Sequence, residues 1–257
     1  MLERLFISRW VAVAGLAMAC LPAFAGESNM TLTVSGAASL RNVFMALAPG
    51  FESQHSGVRL VFNFAASDAV LAQVKNGAPV DVLATADQET MNRAQDLHLL
   101  QPGSRRSFAG NKLVLIVPMR GARHLSQLAG LKDAAIQHIA LGQPSGVPAG
   151  RYAKAALEAA DLWSAVEGKF VFALNVRQVL DYVARGEVDA GFVYASDARV
   201  AADKVRVAMM VPTEQAIAYS VAVVAGTARD ELAQQFVAYL LSPAAQAVLL
   251  QSGFESP

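Results

Sequence analysis

The feature that most constrains this 257-residue chain is a rhythm: short runs with strand character alternate with amphipathic helical runs, joined by small residues. Thr31, Thr33 and Ser35 alternate with Leu32 and Val34, the period-two pattern of a half-buried strand. Gly36-Ala37-Ala38-Ser39 then turns into a helix in which Leu40, Val43, Phe44, Leu47 and Phe51 recur at helical spacing, with Ser39 near its N-cap. Residues 58–64 form a second strand, rich in β-branched and aromatic side chains. Ala65-Ala66-Ser67 leads into a second helix that carries Val70, Leu71 and Val74 and stops at Gly77. Residues 80–84 give a third strand, and Asp87 caps the helix after it. A βαβαβ order predicts an α/β fold, with parallel-rich sheets flanked by helices on both faces.

After a polar stretch at 102–106 the rhythm restarts. Strands are expected at 112–117, 138–142, 170–174, 190–194, 205–211 and 216–224. Helices are expected at 125–131, 149–160, 176–185, 229–241 and 243–251. Two successive α/β units of about 100 residues each predict two lobes. The last helices return to the first lobe, which makes lobe 1 residues 26–109 plus 217–257 and lobe 2 residues 110–216. Two crossing segments would then form a hinge beside an interlobe cleft.

Residues 1–25 read as an export leader. Arg4 and Arg9 precede an apolar run, Pro22 breaks it, and Ala23-Phe24-Ala25 is a small-x-small cleavage pattern, with the cut after Ala25. Cutting there leaves 232 residues with 19 basic and 20 acidic groups and removes Cys20, the one cysteine. A chain without thiols tolerates an oxidising compartment, and the leader points to a bacterial periplasm. The near-neutral balance argues against a nucleic-acid partner. With 54% hydrophobic and 16% charged residues, the chain is not a disordered one.

Much familiar chemistry is missing. The histidines (His55, His98, His124 and His138) have no metal-ligand spacing, and the chain has no nucleophile elbow, P-loop or dinucleotide fingerprint. What recurs is a strand, a small-residue turn and a helix start: at Ser39 and Ser67 with a hydroxyl, and at Pro148-Ala149 and Asn175-Val176 without one. Helix starts offer unpaired N–H groups and partial positive charge, and in a parallel sheet they gather at the carboxyl edge. Four of them on facing lobes would converge on one small anion.

These strings carry a resemblance. Ala37-Ala38-Ser39-Leu40, Phe64-Ala65-Ala66-Ser67, Gly77-Ala78-Pro79-Val80-Asp81 and Ala84-Thr85-Ala86-Asp87 occur in that order. Gly110-Asn111-Lys112-Leu113-Val114, Val147-Pro148-Ala149-Gly150-Arg151-Tyr152-Ala153, Asn175-Val176-Arg177 and Gly191-Phe192-Val193-Tyr194-Ala195-Ser196-Asp197 follow. Together they resemble the periplasmic molybdate-binding proteins of molybdate ABC importers, from about Met30 to Phe254. The resemblance implies a type II periplasmic binding fold, no enzymatic activity, no cofactor, and a monomer that serves an inner-membrane ABC permease. It also implies a ligand set for molybdate, and for tungstate with it. Ser39 and Ser67 give hydroxyl and backbone N–H, Ala149 and Val176 give backbone N–H, and Tyr194 gives its phenol, all through the anion's oxygens with no direct metal ligand. From periodicity alone Tyr194 reads as a strand end packed in the core.

One departure is Asp68, where the family often has Ser or another small uncharged residue; a carboxylate beside a dianion is repulsive unless it points outward. Arg151 and Arg177 read as surface residues of helix first turns. Trp163 and Tyr239 read as packing residues, and Met209-Met210 as strand core. Two other functions remain open at this stage: a binding protein for another tetrahedral oxyanion such as sulfate, and a secreted serine-dependent hydrolase, for which no base is visible.

Overall fold

The computed structural model describes residues 30–120 and 125–257; the leader read at 1–25 and His124 lie outside them. Strand β1 (Met30–Ala37) starts with the expected alternation, but every residue from Val34 onward is buried, because two strands flank it. Its neighbours are β2 (Val58–Ala65) and β3 (Val82–Thr85), both parallel to it. Beyond β3 lie β10 (Ile217–Val223), antiparallel, and then the edge strand β4 (Arg106–Asn111).

A second, five-stranded sheet repeats the plan. Here β6 (Ile139–Gly142) lies parallel to β7 (Phe170–Ala173) and β8 (Ala190–Tyr194). The antiparallel member is β5 (Leu113–Pro118), with β9 (Val205–Val211) at the edge. The expected parallel-rich α/β architecture therefore holds, with an antiparallel strand and an edge strand completing each sheet. The chain passes between sheets twice, at Asn111-Lys112 and across residues 212–216. Both β5 and β10 carry a register shift against their edge partner.

Local differences from the sequence expectations have physical reasons. The polar stretch near 106 does not lead directly into one strand: residues 106–111 form β4 in the first sheet, and the apolar run from Leu113 belongs to the second. Ser39 is no helix cap; it sits inside a 3-10 turn (Ala38–Leu40) ahead of α1 (Arg41–Glu52). Residues 125–131 give only a 3-10 turn (Leu128–Lys132). A short helix, α7 (Ala195–Val200), follows β8 without a break and was not expected. Met210 is 49% exposed on edge strand β9, so it is not core.

The predicted stripe of α1 is wholly buried. Phe44 stands at its centre, with ring centroids of Phe62, Phe108 and Phe236 about 6 Å away. Phe236 comes from α8 (Asp230–Leu240), which with α9 (Pro243–Gln251) returns to this first lobe. Each such ring contributes about 1.5–3 kcal/mol by leaving water. Tyr239 packs on Phe51 and donates to the Leu47 carbonyl at 3.1 Å, and Trp163 packs on Phe170, both as expected of packing residues.

In the second lobe α4 (Pro148–Ala159) begins against the end of β6. A Cβ on Gly150 would lie 1.9 Å from the Gly142 carbonyl oxygen, so only glycine lets this helix start come so close. Gly150→Ala is expected to lower stability by about 1–3 kcal/mol through overpacking. Urea unfolding of the variant beside the parent measures it, and an unchanged midpoint would contradict this packing.

Candidate anion-binding site

The carboxyl ends of β1, β2 and β3 deliver Ser39, Ser67 and Ala86 to one place; the ends of β6, β7 and β8 deliver Ala149, Val176 and Tyr194 opposite. Here α2 (Ser67–Lys75) begins at Ser67, α6 (Val176–Ala184) begins at Val176, and Ala149 is the second residue of α4. All five residues singled out in the sequence line one cavity between the lobes, and each is at most 4% exposed. The cavity volume is only about 10 Å³, and among the described residues no charged side chain lines it. That is far below the roughly 300–1,000 Å³ of pockets for drug-sized ligands, so in this closed arrangement the space excludes any large solute.

Small apolar residues make up most of the lining, and helix starts and two serines stand among them. The first N–H groups of a helix have no partner within it. The caps of the 3-10 turn, α2 and α4 (Ala37, Ala66 and Val147) supply no side chain to take them. The cap of α6, Asn175, accepts only from Gln178 N–H at 3.1 Å and leaves that of Val176.

The two serines are polarised by their surroundings. Ser67 Oγ accepts from Ala86 N–H at 3.0 Å, so its proton is left for the cavity. Ser39 Oγ lies 2.9 Å from the Tyr219 hydroxyl. Asn111 settles the direction of that bond. Its Oδ1 accepts from Lys112 N–H at 2.9 Å, so its Nδ2 faces Ser196 Oγ at 2.8 Å and Tyr219 at 3.4 Å. Since Nδ2 can only donate, the proton of the buried Tyr219 phenol has Ser39 Oγ as its partner, and the Ser39 proton is then left for the cavity. Among the described residues the partners of the two serines are a backbone N–H at Ser67 and a phenol at Ser39, neither of them a base.

Burial, with smaller contributions from neighbouring Tyr219 and Tyr152, pushes the Tyr194 phenol well above its usual range, so it stays a donor at neutral pH. Its acceptor is the Ala86 carbonyl across the cleft at 3.5 Å, a long contact that a better acceptor could replace. Among the described residues no cluster of His, Cys, Asp and Glu is arranged to hold a metal ion directly.

Charged groups stand behind this lining, and two of them correct the sequence reading. Arg151 and Arg177 are not surface residues; their side chains are 18% and 16% exposed. Arg151 reaches from α4 to Asp68 on α2 and to Asp87, the cap of α3 (Gln88–Asp96), at 3.2 and 2.5 Å. Arg177 forms a 2.6 Å ion pair with Asp197, off the line of a hydrogen bond, and donates to the Ser39 carbonyl at 3.2 Å. Burial raises the Asp197 carboxyl, against the lowering effect of Arg177 and the Tyr194 N–H. Asp68 does point away from the cavity, toward Arg93, Arg151 and Thr90.

Sequence reasoning gave no role to Tyr219, and it placed Asn111 and Asp197 only within matching strings. Tyr219 carried no signal, since it sits in an apolar strand whose two faces are both buried.

Burial alone would raise Asp68, but hydrogen bonds from Thr90, Arg151 and Arg93 outweigh it and hold the carboxyl below its ordinary value of 3.8. A lowered carboxylate stabilises the fold fully above that ordinary value, and the effect is lost as pH falls through the lower folded value. The melting-temperature gap between the parent and Asp68→Asn is thus expected to stay constant over roughly pH 5–8 and to narrow below about pH 4. A gap that widens in acid would contradict the assignment.

Comparison with known proteins agrees with this geometry. The family model described as bacterial extracellular solute-binding protein matches residues 32–255. The molybdate-binding protein ModA of Escherichia coli is 34% identical over 257 residues, covering 95% of this chain and 93% of that one. ModA of Haemophilus influenzae is 31% identical, covering 97% of each. Among solved structures, the periplasmic molybdate-binding protein of Azotobacter vinelandii superposes with a TM-score of 0.78 at 29% identity, over 88% of this chain and 99% of that one. The sulfate-binding protein SubI of Mycobacterium tuberculosis reaches 0.76 at 17% identity, a likeness of fold alone. With two α/β lobes, a small cavity between them and relatives of this kind over nearly its whole described length, the chain belongs to the bacterial extracellular solute-binding proteins, in the group that contains the ModA molybdate-binding proteins.

Proposed function

We propose that the chain captures molybdate between its lobes in the periplasm and hands it to an inner-membrane ABC importer, without catalysing a reaction. Tungstate, which differs little in size and charge, binds in the same way. The mature protein begins after Ala25, acts as a monomer, and opens and closes about the crossings at Asn111-Lys112 and residues 212–216.

The observation that carries this reading is a lining of hydroxyls and helix starts with no charged side chain among the described residues. Ser39, Ser67, Ala149, Val176 and Tyr194 contribute hydroxyl or backbone N–H groups, and the two serines already have protein donors on their oxygens. Molybdate at neutral pH accepts hydrogen bonds and donates none. Protonated phosphate brings a donor and needs an acceptor, and this lining holds no carboxylate to serve as one. Sulfate has the same charge and shape with shorter bonds, so only the fit of the cavity discriminates against it.

About seven bonds to a charged ligand, at roughly 1.5–3 kcal/mol each, give about 10–20 kcal/mol gross. Desolvation and closure reduce this to roughly 8–12 kcal/mol, a micromolar to nanomolar affinity. Neutral donors bind the dianion without the trapping that lysine or arginine in contact would cause, and release to the importer is part of the task. Because the donors come from both lobes, the ligand gains its full set only when they meet, which favours the closed form.

Thermal shift with molybdate, tungstate, sulfate and phosphate tests the ligand class, because binding to the native state raises the melting point. Shifts with molybdate and tungstate are expected; a shift with sulfate alone would replace this reading with a sulfate-binding one. Calorimetric titration tests the site. Ser39→Ala and Ser67→Ala should each weaken molybdate binding by about 1–3 kcal/mol while the fold is retained, and unchanged affinity in both would reject the site. Tyr219→Phe, which touches no ligand but removes the donor to Ser39, should weaken binding by about 1 kcal/mol.

A further inference from the structure

We propose that Arg151 is an interlobe latch that holds the lobes together and sets how long the captured anion stays. The proposal rests on the reading that the cavity takes molybdate, and it adds a residue that does not line that cavity. From the first turn of α4 the guanidinium spans the cleft. Nε and Nη2 donate to Asp87 Oδ2 at 3.1 and 2.5 Å, and Nη1 and Nη2 donate to the two Asp68 oxygens at 3.2 Å each. Nη2 also reaches Thr90 Oγ1 at 3.0 Å. A planar fork shared by two carboxylates is a contact lysine cannot reproduce.

The acceptors are fixed before the latch arrives. Asp68 is held within its own lobe by Arg93 Nη1 at 2.8 Å and Thr90 Oγ1 at 2.7 Å. Asp87 accepts from Thr90 N–H at 3.2 Å as the cap of α3. The Asp68 and Asp87 side chains are 11% and 5% exposed, so the bridge is shielded and is worth more than a surface pair.

Chain connectivity couples the latch to the site. Asp68 directly follows Ser67, Asp87 directly follows Ala86, and Arg151 lies two residues beyond Ala149. Arg151 therefore cannot reach its carboxylates without bringing the α4 start opposite Ser67. Conversely, an anion that draws Ala149 and Ser67 together delivers Arg151 to Asp68 and Asp87. Opening the lobes strips Arg151 from the carboxylates and leaves both acids beside the donors of lobe 1, which favours departure of a dianion.

The test compares mature parent, Arg151→Ala, Arg151→Lys and Asp68→Asn, with circular dichroism to verify folding. Molybdate release is followed by stopped-flow fluorescence after a tungstate chase, and small-angle scattering of each ligand-free protein reports lobe opening. The latch predicts release about tenfold faster in Arg151→Ala and faster also in Asp68→Asn, with Arg151→Lys between parent and Arg151→Ala. Raising salt from about 0.05 to 0.5 M should speed release from the parent and leave Arg151→Ala unchanged.

Asp68→Asn is decisive, because an acid that merely repels the anion would, once removed, slow release. Slower or unchanged release in that variant overturns the latch. Scattering separates this from the ligand reading. A larger radius of gyration in the ligand-free Arg151→Ala and Asp68→Asn proteins supports the latch even if the parent binds no molybdate, and radii equal to the parent's count against it.

Discussion

The two serine donors at the cleft depend on which way their hydroxyl protons point. A serine hydroxyl is both donor and acceptor, and an anion can use only the donor. The protein removes the ambiguity by filling the oxygen's accepting side, with a backbone amide at Ser67 and with the Asn111–Tyr219 relay at Ser39. The remaining donors need no such arrangement, because backbone N–H groups at helix starts and a phenol kept neutral by burial have one polarity each. The cleft is thus an electrostatic statement made without a formal charge on its surface. Cations stand one layer back, each already matched to a carboxylate.

That layering explains the place of Arg177 and Asp197. Asp197 accepts from the Tyr194 N–H at 3.3 Å and pairs with Arg177, which in turn holds the Ser39 carbonyl. Tyr194 and Ser39, on opposite lobes, are therefore tied through one buried ion pair. Removing one partner would strand the other in a nearly water-free setting, a far larger penalty than the loss of a surface pair.

Local signals were legible in the sequence and distant ones were not. The α1 stripe and the Asp87 cap are settled within one or two turns, and the structure shows both. The helix starts at Ser67, Ala149 and Val176 were readable for the same reason, although their convergence needed the sheet order. The break between β4 and β5 was hidden because the crossing is only Asn111-Lys112, with no glycine or proline to mark it. Arg151 and Arg177 were misread because their partners lie tens of positions away, and periodicity reports only which face of its own helix a residue occupies. Tyr219 was invisible: its strand is buried on both sides and alternation gives no contrast there.

The position of β10 also bears on how the molecule comes into being. It lies between β3 and β4, and among the described residues β4 pairs with no other strand. During vectorial synthesis β4 emerges about a hundred residues before its partner, whereas all five strands of the second sheet arrive consecutively. The second lobe can thus complete its sheet while the first still exposes an unsatisfied strand, a template for wrong pairing. A chain of this design gains from being kept unfolded until its last helices are made.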